Sequence, residues 1–174
     1  LLVTRLQNIG DMLVFIPALR ALRSGMPDAH IVLLAKHAGG RAVIDGCPYI
    51  DEILVVRRRG LREKFRLIRE FRRRRIDWFV ISSQDLGRVP WALMGGARHI
   101  AGFTSVYNLE KTRREKLTRF LDIAPDYDRD TTEIENNLAL VARVLDANGV
   151  SPPPHLSSEL EYSWGGAEAD DRAE

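Results

Sequence analysis

Short apolar segments alternate with amphipathic ones along most of this chain, and this alternation limits the possible folds more than any other feature. The segment at 30–35 is apolar after its first residue, as expected of a strand that is buried on both faces. Strands that alternate with helices through short turns form a parallel sheet with helices on both faces, so we predict an α/β fold with a doubly wound sheet. The predicted strands cover 1–4, 30–35, 52–56, 77–82 and 98–103, and the predicted helices cover 11–24, 38–45, 61–74, 89–94 and 131–148.

The length and composition are those of one globular domain. A chain of 174 residues can bury a sizeable core. No apolar run approaches the roughly 18 residues of a membrane-spanning helix. The single cysteine, Cys47, excludes an internal disulfide and lacks an obvious activating partner. The four histidines lack the spacing of metal ligands, so we predict no metal site.

The alternation of apolar and amphipathic segments weakens after residue 103. The stretch 104–130 is polar and has no clear period, so we expect a functional or mobile loop there. The domain is predicted to cover 1–150, because Gly149 and the prolines at 152–154 are typical of a linker. The chain does not begin with Met and its last ten residues are polar and acidic, so we expect it to be part of a longer protein.

The segment RLQNIGDML, at 5–13, separates the first predicted strand from the first predicted helix. Ligands of open α/β sheets bind outside the carboxyl ends of the strands, which is where Asp11 stands. Asp11 has two interpretations: a general base for a substrate hydroxyl, or the N-cap of the helix. Gly10 would supply a turn with positive φ. Because G-x-G-x-x-G and G-x-x-x-x-G-K-[ST] are both missing, a dinucleotide-dependent oxidoreductase and a P-loop protein are disfavoured.

A dense basic block lies between Arg57 and Arg75. It holds 11 Lys or Arg and two Glu, a local charge of +9, whereas the rest of the chain has a net charge of −7. Such a block indicates an anionic neighbour, either a phosphorylated and membrane-anchored substrate or a lipid surface; a solvated helix face is the alternative. Nucleic-acid binding is disfavoured, because no aromatic residues are interleaved for stacking and no known recognition motif is present.

The segment SSQDLGR, at 82–88, follows the fourth predicted strand. It ends at the same edge of the sheet as Asp11. Gln84, Asp85 and Arg88 have the side chains needed to bind sugar hydroxyls or phosphate. An ordinary polar turn between strand and helix is the alternative interpretation.

Several segments occur in a fixed order over roughly the first 150 residues. They are RLQNIGDML at 5–13 with PALRAL at 17–22, CPYIDEI at 47–53, IREFR at 68–72 with RIDWFVI at 75–81, GARHIAGF at 96–103, and ENNLAL at 135–140. In this order and spacing they resemble the lipopolysaccharide heptosyltransferases, which are glycosyltransferase family 9.

The resemblance implies the GT-B fold, in which two Rossmann-like domains face each other. Residues 1–150 would be the N-terminal, acceptor-binding domain. Residues 151–174 would be the linker and the start of the C-terminal domain that binds the nucleotide sugar, and the rest of that domain is absent from this chain. The implied reaction is inverting transfer of a heptose or a related sugar from an ADP-sugar, typically ADP-heptose, to the inner core of lipopolysaccharide. It requires no metal or other cofactor.

The same resemblance assigns roles to residues. Asp11 matches the family's catalytic base. The implied partners are a lipid-linked oligosaccharide acceptor and, through the absent domain, the nucleotide sugar, at a cytoplasmic location with peripheral contact to the inner membrane. A histidine that is frequent in the family near 131–133 is not present, which leaves the identity of the acceptor open. We predict that the acceptor is bound by Asn8, Gly10, Arg57, Arg58, Arg59, Gln84 and Arg88.

A second hypothesis is a non-catalytic, truncated module that binds anionic lipid or polyphosphate through the basic block. The two hypotheses differ in what they expect of Asp11, which is essential for turnover in the first and only a helix cap in the second. In either case we expect this chain alone to fold and not to transfer sugar.

Overall fold

The computed structural model describes residues 1–4, 9–36, 44–57, 60–104, 111–151 and 158. Within them the strands form one parallel sheet with the order β3-β2-β1-β4-β5, which confirms the predicted α/β class and the doubly wound sheet. The strands are β1 (Leu2–Thr4), β2 (Val32–Lys36), β3 (Glu52–Val56), β4 (Trp78–Ile81) and β5 (His99–Gly102).

Helices cover both faces of the sheet. Among the described residues they are α1 (Ile9–Leu13), α2 (Ile16–Gly25), α3 (Leu61–Arg74), α4 (Val89–Gly95), α5 (Lys111–Thr118) and α6 (Glu133–Ala147). A short 3₁₀ turn, Leu86–Arg88, leads from β4 into α4. No described helix has both the length and the apolar character needed to cross a membrane.

The alternation of side chains along the strands produces two cores. Val3 lies in register with Leu33 and Val80, and all three are buried in one cluster with apolar residues of α2 and α6. The neighbouring Leu2 belongs to a second cluster on the opposite face, together with residues of α3 and α4 such as Phe71. Successive strand residues point to opposite faces, so strands this apolar require helices on both sides.

The predicted helix at 11–24 is two helices in the structure. Its first part begins at Ile9, and the second begins at Ile16 after a break at residues 14 and 15. Pro17 causes the break, because it has no N–H to donate and is therefore accepted only in the first turn of a helix.

The expectation of a loop over 104–130 is wrong. The stretch contains α5, followed by an extended segment beside β5, in which Asp122 N donates to Ile100 O at 2.8 Å and Gly102 N donates to Ile123 O at 3.0 Å. The helix was missed because α5 has the sequence KTRREKLT, whose single large apolar residue is Leu117. The predicted linker and second-domain start at 151–174 lie outside the described residues apart from 151 and 158, and most of the predicted helix at 38–45 does too.

Candidate active site at the carboxyl edge of the sheet

The strand order places a crevice outside β1 and β4. Because all five strands are parallel, their carboxyl ends share one edge, and the order reverses at β1, which lies between β2 and β4. Ligands of doubly wound sheets bind outside the carboxyl ends at such a reversal. Two buried hydroxyls hold these strand ends together: Thr4 Oγ1 donates to Val80 O at 3.3 Å, and Ser82 Oγ donates to Thr4 O at 3.1 Å.

Asp11 lies in the first turn of α1, which follows β1, and its side chain is half-buried. An N-cap residue precedes the first helical residue, whereas α1 already begins at Ile9, so the interpretation of Asp11 as the cap is wrong. A carboxylate in the first turn of a helix is favoured by the partial positive charge of that end. The position therefore places a carboxylate beside the crevice.

Gly10 is helical and exposed, and it is not among the residues with positive φ. The expected positive-φ turn is therefore wrong. A Cβ atom added at Gly10 would meet no described atom within 4 Å. What the glycine provides is open space next to Asp11.

Arg88, at the end of the 3₁₀ turn after β4, is a buried arginine with an unused donor. It is only 8% exposed, and its Nη2 lies 3.4 Å from Asp85 Oδ2. Its Nε has no hydrogen-bond partner among the described residues, and the same is true of Ser83 Oγ. Burial lowers the pKa of the Arg88 guanidinium, and the Asp85 carboxylate opposes that effect. A guanidinium stays charged in proteins, so an unused buried donor of this kind is costly unless an anion or another acceptor binds it.

The other predicted acceptor residues are spread along the edge. Gln84 follows β4 and is half-buried, so it lies at the same crevice as Arg88. Arg57 follows β3, is exposed, and donates its backbone N–H to Glu63 Oε1 at 2.9 Å. Three strand spacings separate β3 from β4, a distance of about 14 Å. Asn8, Arg58 and Arg59 lie outside the described residues.

Sequence reasoning missed Asn137. It is fully buried in the second turn of α6, and neither its amide oxygen nor its amide nitrogen has a partner among the described residues. Asn136 beside it is satisfied, since its side chain bonds with Asp128 and with the two threonines that precede α6. The signal was an asparagine at a helical position where the spacing from Val141 and Leu145 requires an apolar residue.

Two cavities, of about 400 and 420 Å³, lie at the opposite, amino edge of the sheet. Both are lined by Asp77, Trp78 and Asn148, which stand at the start of β4 and the end of α6. They are therefore distinct from the crevice outside β1 and β4. No group of three or more His, Cys, Asp or Glu in the described parts of the chain is arranged to hold a metal ion.

No protein-family model and no curated protein sequence matches this chain. Solved structures do match. The glycosyl transferase family 9 protein of Veillonella parvula DSM 2008 superposes with a TM-score of 0.66 at 22% identity, over 90% of this chain and 42% of that protein. The chain has the fold of about half of a GT-B heptosyltransferase.

Two heptosyltransferases of E. coli carry that conclusion. ADP-heptose lipopolysaccharide heptosyltransferase II matches with a TM-score of 0.66 at 18% identity, over 98% of this chain and 46% of its own. Heptosyltransferase WaaC, solved with ADP, matches with a TM-score of 0.62 at 14% identity, over 94% of this chain and 50% of its own. The resemblance inferred from the motifs is thus confirmed in structure, and the chain spans about half the length of the solved proteins that it matches.

Proposed function

We propose that this chain is the acceptor-binding half of an inverting glycosyltransferase of family 9. The complete protein would move a heptose or a related sugar from an ADP-sugar to an acceptor of the lipopolysaccharide inner core. The observation that carries the proposal is the position of Asp11, a half-buried carboxylate in the first turn after β1, at the reversal of strand order. The likeness of the fold to the heptosyltransferases supports it.

Asp11 is assigned the role of general base. Its carboxylate accepts the proton of an acceptor hydroxyl while that oxygen attacks the anomeric carbon of the donor sugar. The bond between the anomeric carbon and the ADP phosphate oxygen breaks in the same step, ADP leaves with the bonding electron pair, and the configuration inverts. Only groups within hydrogen-bond reach transfer protons in this way, so open space beside Asp11, such as Gly10 leaves, is required for the acceptor to approach.

Arg88, Ser83 and Gln84 are assigned to the acceptor on the β4 side of the crevice. The unused Arg88 Nε and Ser83 Oγ are donors suited to an anionic group, and Gln84 both donates and accepts. Arg57, with Arg58 and Arg59 beside it in the sequence, would contact charged groups farther along the acceptor. The nucleotide sugar would be held by a second domain encoded elsewhere in a longer protein, and work on a lipid-linked acceptor favours the cytoplasmic face of the inner membrane.

The test is Asp11→Asn in the complete protein, assayed with ADP-heptose and a lipid-linked acceptor. Loss of a general base lowers kcat by about 10²- to 10⁴-fold, while the circular dichroism spectrum stays that of the parent. Asp146→Asn is the matched control, because Asp146 is an exposed residue near the end of α6, far from the crevice. An unchanged kcat in Asp11→Asn would refute the proposal.

The second candidate, a non-catalytic module for anionic lipid or polyphosphate, is favoured by the charge of +9 between Arg57 and Arg75. It expects Asp11→Asn to leave binding of such ligands unchanged in a protein that never turns over an ADP-sugar. Turnover of ADP-heptose by the complete parent protein would support the glycosyltransferase, and its absence would support the non-catalytic module.

A further inference from the structure

We propose that the outer face of α3 docks this protein on an anionic lipid bilayer. Leu61 and Phe65 are the most exposed large apolar residues of the described chain, at 70% and 69%. They lie one helical turn apart, so their side chains are neighbours on the helix surface. Of the side chains that α3 buries in the core, Leu67 and Phe71 point away from Phe65, whereas Ile68 adjoins the exposed pair at the border of the core.

Arginines surround these two apolar side chains. At 100° per residue, Leu61, Arg62, Phe65, Arg69 and Arg72 fall within an arc of about 100°, and we call these five residues the α3 face. All five are exposed, and none of the three arginines forms an ion pair within the described part of the chain.

Other arginines of α3 behave differently. Arg66 pairs with Glu63 at 2.6 Å, and Arg74 pairs with Glu70 and with Glu52 of β3. Arg66 and Arg74 are therefore neutralised by glutamates of this protein. The arginines of the α3 face have no such partner among the described residues and can bind an external anion. Arg72 donates its Nε to Met94 O at 2.8 Å, which brings the half-exposed Met94 of α4 next to the same face.

An exposed aliphatic and aromatic pair among unpaired cations matches the chemistry of a bilayer interface. The apolar side chains enter the boundary between headgroups and acyl chains, and the guanidinium groups contact lipid phosphates. Each neighbouring cation adds attraction to an anionic surface.

The orientation of α3 links this face to the crevice. Leu61 begins α3 shortly after β3 ends, so Leu61 and Phe65 lie toward the carboxyl edge of the sheet, the edge that carries Asp11. A bilayer docked on the α3 face borders that edge, and a lipid-linked acceptor reaches it without leaving the membrane. This last point rests on the proposed function; the docking itself does not.

The test is co-sedimentation of this chain with vesicles of phosphatidylcholine that contain about one third phosphatidylglycerol, at about 0.1 M salt. Leu61→Gln with Phe65→Gln keeps good helix formers and removes the apolar pair, and we expect at least a tenfold loss of binding. Arg62→Gln with Arg69→Gln removes two charges, and we expect a loss of about 30-fold. The matched controls, Phe120→Gln on the turn after α5 and Arg143→Gln on α6, bind as the parent does.

Some outcomes would overturn the inference. Binding that is equal on pure phosphatidylcholine, or that survives both double substitutions, rules out the α3 face as an anionic-lipid site. A dimer in sedimentation velocity that dissociates in the Leu61 and Phe65 double variant would assign the face to a second copy of the chain instead. No donor or acceptor is present in these experiments, and Asp11→Asn binds vesicles as the parent does, so failure here is separate from failure of the proposed reaction.

Discussion

Polar side chains are paired with one another at the amino edge of the sheet, whereas several at the carboxyl edge have no partner. At the amino edge, Asp51 accepts from the backbone N–H of Ile31 at 2.6 Å and from Arg23 at 2.5 Å. Arg98 pairs with Asp77 there at 2.9 Å. These bonds tie the starts of the strands to the helices and connections around them.

The carboxyl edge is different. Buried side-chain atoms without a hydrogen bond, within the described parts of the chain, belong to Ser83, Arg88 and Asn137. Ser83 and Arg88 follow β4, and Asn137 lies in the half of α6 that faces this edge, because Asn148 at the other end bonds to Trp78 at the start of β4 at 3.2 Å. A buried polar atom without a partner costs stability, so its retention is expected where a ligand supplies the partner. Within the described residues, the amino edge thus satisfies its polar groups internally, whereas the carboxyl edge keeps buried polar atoms without a partner.

The largest effect on the difference between the two edges is expected from Arg88→Met. This substitution removes the charge of the side chain and keeps most of its volume. If the Arg88 guanidinium binds an anionic acceptor, the KM for that acceptor in the complete protein rises by about 10- to 100-fold, the loss expected for hydrogen bonds to a charged group. The free energy of unfolding stays equal or increases, because Asp85 is half-exposed and water replaces its partner.

Arg98→Met is the control at the amino edge. Arg98 is 74% exposed and its partner Asp77 is 59% exposed, so neither KM nor stability changes measurably. Steady-state kinetics and urea unfolding read out both quantities. A large loss of stability in Arg88→Met, with KM unchanged, would make Arg88 a structural residue and remove it from the acceptor site.

Arg74→Met tests the opposite edge. Its side chain is only 15% exposed and pairs with Glu52 of β3 and with Glu70 on its own helix. Removing the cation takes the main partner from two partly buried carboxylates, leaving Glu70 with the exposed Arg73 at 3.3 Å and Glu52 with His30 at 3.7 Å. We expect this to lower the free energy of unfolding by about 1–2 kcal/mol. Urea unfolding measures the change, and kcat of the complete protein stays that of the parent. A variant as stable as the parent would show that the amino edge does not depend on this network.

The pH dependence of the free energy of unfolding tests the pairing of Arg74 with Glu52 and Glu70. Hydrogen bonds from Arg74 hold the pKa of Glu52 and of Glu70 below the ordinary value for glutamate. A carboxylate with a lowered folded-state pKa stabilises the fold above its unfolded-state pKa, and that stability is lost as the pH falls through the folded-state value. The free energy of unfolding therefore starts to fall near about pH 5 and continues to fall below about pH 4. In Arg74→Met this fall is shallower, and equal slopes in urea titrations across that range would contradict the assignment.

Much of the fold could be predicted from the sequence because its signals are local. Buried parallel strands need continuous apolar runs such as Ile31 to Leu34, and their alternation with helices determines the layers. The break before Pro17 was also locally encoded and was overlooked. The helix α5 could not be found from periodicity, since Leu117 is its single large apolar residue and the helix has no apolar stripe.

The candidate site was predictable only in part. Residues that follow β1 and β4 could be placed at one edge of the sheet from topology alone, which is why Asp11, Gln84 and Arg88 were identified. Whether a polar group has a partner depends on residues distant in sequence. Nothing local distinguishes Arg88, which is buried, from Arg98, which is exposed, or Asn136 from Asn137.

Substitution of Asn137 by leucine compares this residue directly with its neighbour Asn136. Leucine has the same number and branching of side-chain heavy atoms and no polar atoms, so the substitution removes two unsatisfied buried groups, and we expect the free energy of unfolding to increase by about 1 kcal/mol. Asn136→Leu is the matched control with the opposite sign, because it leaves the backbone N–H and C=O of Asp128 without the side-chain partners that they have at 2.9 and 2.7 Å. Urea unfolding of both variants measures whether the free energy of unfolding increases or decreases in each. If Asn137→Leu is destabilised as Asn136→Leu is, then Asn137 has a structural role, and the contrast between the two edges is reduced to Ser83 and Arg88. An increase in stability accompanied by a raised KM for the acceptor would extend the binding edge from the turn after β4 to α6.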